Sequence, residues 1–356
     1  MKVKMEKKGV MTGMVLTTII AISMFAVLPM TISSEQASSN PDADIYVNTT
    51  GWWRPGGAFN ESSNPIQDAI NNATDGNTIF IYNGTYVVPP YGTSGIFRIC
   101  LDKTLTLKGE GADVVTIDGN GGEFVIFVGH DGSGAVPAPG SVVEGFTIKN
   151  GSNGVVVSEK SPNCIIRDNA LEDISEGIVP SFAKNCIIRD NVIKAENKAI
   201  DIPEESENTT CMGNVIDGGS DALGTVWIGA PNCTFISNIV TNTTGTYGAV
   251  YILNTSRFST IANNTIINNE GAGILSQEGP PRGGNNIITG NNIRSNKLAG
   301  FLFYNAAPGF KIYLNNIVDN GVTATTYGST PPAVTYWNST EPIEYVWNGT
   351  TYTGYL

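Results

Sequence analysis

Histidine, methionine and charge are the scarce residues of this chain. Its 356 residues hold one histidine, His130, and beyond position 37 one methionine, Met212. Charged residues make up 15% of it, with 20 basic against 32 acidic. Such an acidic balance excludes binding of nucleic acid or anionic membrane through an overall positive field. Five cysteines do not form an evident disulfide framework. A single long apolar run, residues 10–32, is present, and nothing after it could span a bilayer.

What the chain has is glycine, asparagine, threonine and repetition. Asn163-Cys164-Ile165-Ile166-Arg167-Asp168-Asn169 recurs as Asn185-Cys186-Ile187-Ile188-Arg189-Asp190-Asn191, 22 positions on. Weaker copies place Asn169, Asn191, Asn214, Asn238, Asn264, Asn291 and Asn315 in one slot, with Phe146 one repeat earlier. A steady period of this size is the signature of a solenoid.

Three residues before that slot stand Val143, Ile166, Ile188, Cys211, Phe235, Ile261, Ile288 and Ile312. Two after it stand Ile148, Leu171, Ile193, Ile216, Val240, Ile266, Ile293 and Ile317. A third column begins at Val155 and runs through Ile178, Ile200, Val226, Val250, Ile274 and Phe301. Apolar residues two apart, in short segments broken by Asn, Gly and Asp, have the period of strands.

Three strands per repeat, wound coil upon coil about 4.8 Å apart, make an all-β, single-stranded parallel β-helix. The preference for right-handed crossovers sets its hand. The Asn column then lies at a bend, where each amide can bond its own coil and its neighbour.

Residues 1–37 begin with four lysines and continue into the apolar run, which reads as an export signal or an uncleaved N-terminal anchor. Membrane contact is expected through this segment alone, and the rest at the cell surface or outside it. Removing it leaves 16 basic and 30 acidic residues, a charge of −14. Twelve Asn-x-Ser/Thr sequons, among them Asn48, Asn60, Asn83, Asn242, Asn338 and Asn348, suit an exported glycoprotein.

Residues 44–140 hold a cap and the first irregular coils, 141–320 the regular repeats, and 321–356 a C-terminal β tail. Asn64-Pro65-Ile66-Gln67 opens a short capping helix, with Asn64 as N-cap and Gln67 closing a capping box. Ile66, Ala69, Ile70 and Ala73 would cover the open end of the coils. Stacking brings Cys164 and Cys186 within bridging range, although buried thiols packing as small hydrophobes fit the inward slot better.

The succession "IQDAI", "NTIFIYNGTY", "KTLTLKGEG", "VVTIDGNGG", followed by "NxIxxN...GI" repeats, resembles the β-helix domains of carbohydrate-binding proteins and sugar hydrolases, NosD-like proteins included. The likeness covers about residues 65–320. The tail, 337–356, resembles the closing module of exported β-helix proteins of methanogenic archaea, in which the pattern continues, and so implies an incomplete module.

NosD-like kinship implies copper handling, yet one Met and one His beyond the N-terminal segment are poor material for it. Kinship with pectin lyases and hydrolases implies a base beside metal-binding aspartates, or an Asp pair with Gly-His-Gly. Gly129-His130-Asp131 lacks the second glycine.

Between the third-strand columns the outward residues are Val156, Val179, Asp201, Trp227, Tyr251, Leu275 and Leu302. Asp201, Trp227 and Tyr251 form the candidate carbohydrate-binding trio, with two flat aromatic faces and one acceptor. The opposing expectation is that the aromatic tail, with Tyr336, Trp337, Tyr345 and Trp347, folds over this stripe.

The acidic group Asp201, Glu204, Glu205 and Glu207 offers hard oxygens of the kind Ca²⁺ takes, without a spacing that specifies it. No other cofactor is expected. Lys149, Glu172, Lys194 and Asp217 read as a solvated charge ladder, and Arg167-Asp168 and Arg189-Asp190 likewise.

The function these features favour is a non-catalytic surface scaffold that contacts glycans or envelope proteins. The alternative is a polysaccharide lyase or glycoside hydrolase working on the third-strand face. The column assignment predicts that Ile193→Asp lowers unfolding free energy by about 4 kcal/mol or more, because it leaves an unpaired charge in the stacked core. A denaturation midpoint equal to that of the unaltered chain contradicts the assignment.

Overall fold

A computed structural model describes residues 42–277, 284–304, 310–327, 343–347 and 350–354. The expected N-terminal signal or anchor lies outside these residues. So do Tyr336, Trp337 and the side chains of Tyr345 and Trp347.

The described chain is a parallel β-solenoid of about 10 turns with one short helix. Each turn has three faces. First-face strands such as Ile165–Arg167, Ile187–Arg189 and Thr210–Met212 pair in parallel, in a sheet whose parallel part runs from Ile45–Asn48 to Lys311–Tyr313. Second and third faces share the other large sheet.

The three-strand coil needs one refinement. In Val115–Val128, Thr147–Val157, Ala170–Pro180 and Val192–Ile202 the second and third strands are one continuous bent strand. They separate from Val215–Asp217 and Val226–Ile228 onward, where a longer bend intervenes.

Short polar residues turn the corners. Asp168, Asp190 and Asn263 stand between first and second faces, Asn150, Asn242 and Asn268 between second and third, and Asn163, Asn185 and Asn232 before the first. All have φ between 54° and 64°, a left-handed conformation that Asn and Asp tolerate better than other side chains.

Register puts like on like. Val143, Ile166, Ile188, Cys211, Phe235, Ile261, Ile288 and Ile312 pair in sequence down the first face and are buried. With the second- and third-face columns they form one continuous core. All five cysteines are buried and free, Cys164 and Cys186 included.

The anchor asparagines form a ladder, buried from Asn169 to Asn291. Each Oδ1 accepts from the backbone N–H of the preceding member at 2.9–3.1 Å. From Asn191 onward each also takes an Nδ2–H from the preceding asparagine at 2.8–3.1 Å. The remaining Nδ2–H donates to a first-face carbonyl one coil back, as from Asn214 to Ile188 at 2.9 Å. Both amide donors and both acceptor positions are thereby used, so burying the amide leaves nothing unpaired.

A second ladder starts later. The Thr243 N–H, Asn269, Asn296 and Asn320 are linked in the same way at the second-to-third bend.

The helix Pro65–Asn72 closes the N-terminal end, with Ile66, Ala69 and Ile70 in the core. Its start differs from expectation. Asn64 makes no side-chain cap, and Gln67 closes no capping box. Buried Gln67 instead exchanges two hydrogen bonds with the Cys100 backbone, 2.8 and 3.1 Å, and pins the helix to the third face. Tertiary pairing satisfies Gln67 better than a local cap because the helix must seat on the coil beside it.

In the tail, Ile343–Trp347 and Thr350–Gly354 form an antiparallel pair.

Replacing Asn214 by Ala strands the Asn191 donors and an Ile188 carbonyl in the interior. About 1–3 kcal/mol per unmet buried group predicts a loss of about 3 kcal/mol. Asn316→Ala, which removes an exposed amide pair with Asn292, is expected to cost under ~0.5 kcal/mol. Equal denaturation midpoints for the two variants would contradict the ladder's role.

Candidate functional site

The outward row of the third face pairs Asp201 with Trp227, Trp227 with Tyr251, Tyr251 with Leu275 and Leu275 with Leu302. Expected to be wet, much of it is dry: Tyr251 is 3% exposed, Leu275 2% and Leu302 3%. They form a small separate core with Ala272 and Ala299, joined by Leu223, Tyr247 and Tyr304. The cause is the longer second-to-third bend, which supplies Leu223 and Tyr247.

The candidate trio is packed together rather than splayed. Trp227 meets Tyr251 edge-to-face at 4.9 Å and 88°, and its Nε1–H donates to the Gly224 carbonyl at 2.7 Å. Burial, with the Asp221 charge behind it, pushes the Tyr251 phenol up to about 12. Tyr251 is thus a packing residue rather than an open stacking platform. Asp201 and Trp227 remain half-buried.

Lys198 joins them. Its ammonium donates to Asp201 at 2.9 Å, lies 3.8 Å from Glu176 and sits 4.1 Å above the Trp227 ring. Burial alone would lower its pKa. The hydrogen bond and charge of Asp201, with the Glu176 and Asp221 charges, outweigh burial and hold it above the ordinary lysine range. A lysine so held is a cation that organises carboxylates, and a poor proton acceptor. Since Asp201 and Glu176 touch one ammonium, their nearest oxygens are no further apart than those two contacts laid end to end.

Lys198 and Glu176 were not singled out from the sequence. The signal was there, because the 22-residue step places Glu176 directly beside Lys198, a pair the register contains.

The acidic group does not converge. Asp201 is held by Lys198, and Glu207 pairs with Lys184 at 3.1 Å. His130 is buried against Phe97 and Phe127, and its Nδ1 accepts the Gly132 N–H.

On the first face the expected solvated pairs hide a buried one. Glu144, 6% exposed, bonds Arg167 and lies 3.2 Å from Lys108, at the edge of a pocket of about 420 Å³. A polar groove of about 650 Å³ follows the second-to-third bend between Asp118 and Glu196.

These features define a parallel β-helix protein with a lysine-centred charged cluster on its third face. The family model described as "Periplasmic copper-binding protein (NosD)" matches residues 70–228 and 205–354. The chain belongs to the NosD family. No helix among the described residues is long and apolar enough to cross a membrane.

No curated protein matches the chain. Among solved structures, the DFA-IIIase of Arthrobacter chlorophenolicus A6 is 14% identical, with a TM-score of 0.52 over 80% of this chain and 84% of that one. An alginate lyase from Paenibacillus is 13% identical, with a TM-score of 0.46 over 75% and 96%. The A-module of an Azotobacter vinelandii mannuronan C-5 epimerase is 16% identical, with a TM-score of 0.44 over 76% and 93%. At such identities the likeness is one of fold.

The described residues do not fit a copper site. Met212 points outward on the first face and His130 is buried elsewhere. Burial pushes the Cys186 and Cys233 thiols up to about 12, far from thiolates. Among the described residues no three His, Cys, Asp or Glu side chains come together as a metal set.

The Lys198 amine is expected to titrate above the ordinary lysine value of about 10.4 when followed by NMR of labelled lysine. Since its folded pKa is raised, the stability it contributes is present below that value and lost as pH rises through the folded pKa. A midpoint at or below the ordinary value would contradict the clamp.

Proposed function

We propose that this NosD-family β-helix is an exported, cell-surface scaffold that carries out no chemistry of its own. It contacts glycans or envelope proteins through the half-buried end of the third-face row. The observation that supports this is the Lys198 clamp. Its ammonium, two carboxylates and indole satisfy one another, so the cluster is built as a rigid polar patch and not as an unpaired acid and base awaiting substrate. Asp201 and Trp227 are the residues that remain open to a partner.

A second reading, a polysaccharide-processing enzyme, draws on the closeness of Glu176 and Asp201, since glycosidases work with two neighbouring carboxylates. A glycan array with the exported chain distinguishes the two. The scaffold reading expects either binding that falls at least tenfold in Trp227→Ala, or no glycan binding, with no depolymerisation in either case. Turnover that disappears in Asp201→Ala would establish the enzyme instead.

A further inference from the structure

The ten sequons within the described residues do not fall at random on the fold. Among the described residues nine asparagines are buried, and none of them begins a sequon. The ten sequon asparagines within the described residues all reach the surface, Asn48 half-buried and the others exposed. The Asn ladders and the sequons are therefore separate populations.

The exposed amides divide again by what their nitrogen does. Asn150 donates Nδ2–H to Asp118 at 2.9 Å and Asn242 to Asp217 at 2.7 Å, both at the second-to-third bend. Asn60 gives Nδ2–H bonds to the Trp52 and Ala58 carbonyls, and Asn208 bonds Asn185. Asn72 bonds the Asp68 carbonyl. In contrast, Asn83, Asn232, Asn254 and Asn263 are exposed and donate no side-chain hydrogen bond within the described protein.

We propose that Asn83, Asn232, Asn254 and Asn263 are N-glycan acceptor sites, a modification that rests on the export reading above. The donor is a polyisoprenyl phosphate- or pyrophosphate-linked oligosaccharide. The amide Nδ2 forms a bond to the anomeric carbon, the carbon–oxygen bond to the lipid phosphate breaks, that phosphate leaves with the electron pair, and the nitrogen gives up one proton. Glycosylation replaces one of the two Nδ2 hydrogens, so a nitrogen free of hydrogen bonds loses nothing, a singly bonded one keeps its bond only if the other hydrogen is replaced, and Asn60 forfeits one of its two.

Placement gives the modification a consequence. Asn83 and Asn263 stand at the bend between first and second faces, and Asn232 and Asn254 between third and first. Glycans there would border the first face and leave the second-to-third bend uncovered, with its polar groove.

The test is site-resolved glycopeptide mass spectrometry on the full chain isolated from the cells that make it, together with its N-terminal sequence. Expected are a mature start near residue 37, saccharide on the four peptides, and loss of one glycan mass for each Asn→Gln change, with Asn60→Gln silent. A mature, exported chain with all four peptides bare, or with saccharide on Asn60 in their place, overturns the acceptor assignment and leaves export standing. An unprocessed chain in the cytosolic fraction overturns both.

Discussion

The stacked asparagine amide is the interaction on which the rest depends. A parallel β-helix must hold coils in register with no local contact to set it, since each strand meets its partner only after a full turn of chain. A one-residue slip would turn every inward side chain outward. The amide answers this because it bonds the coil before it and the coil after it at once. From Asn169 to Asn315 it repeats with unbroken geometry through steps of unequal length. Length changes are absorbed in the bends, and the ladder and apolar columns stay aligned.

That division of labour shapes the surface. Where second and third strands are continuous, Glu176 and Lys198 are neighbours in one sheet and form a tight ionic cluster with Asp201. Where the bend lengthens, its side chains fold onto the third face and dry the row through Tyr251, Leu275 and Leu302. The third face thus changes from polar to apolar along the axis, with Trp227 at the boundary, in contact with both Lys198 and Tyr251.

Much of this was legible in the sequence, because a solenoid writes its period directly into the chain. The apolar columns, the anchor slot and the end-covering face of the helix all follow from spacing alone. Other features were hidden for physical reasons. Gln67 carries a capping-box spacing but bonds Cys100, a choice set by tertiary seating. Asn269, Asn296 and Asn320 sit five residues after three anchors, a signal in plain view that the first column overshadowed. Exposure of Tyr251 was misread because alternation gives the direction of a side chain and not what lies above it. Lys198 was missed because its partners come from an adjacent coil as well as its own strand.

Native-state hydrogen exchange at the backbone N–H groups that bond the ladder is the most direct measurement. If stacked amides hold the register, the N–H groups of Asn169, Asn191, Asn214 and Asn238 exchange only through global unfolding and share one protection free energy. Fast exchange at these positions, at the rate of unprotected backbone amides, would contradict the account.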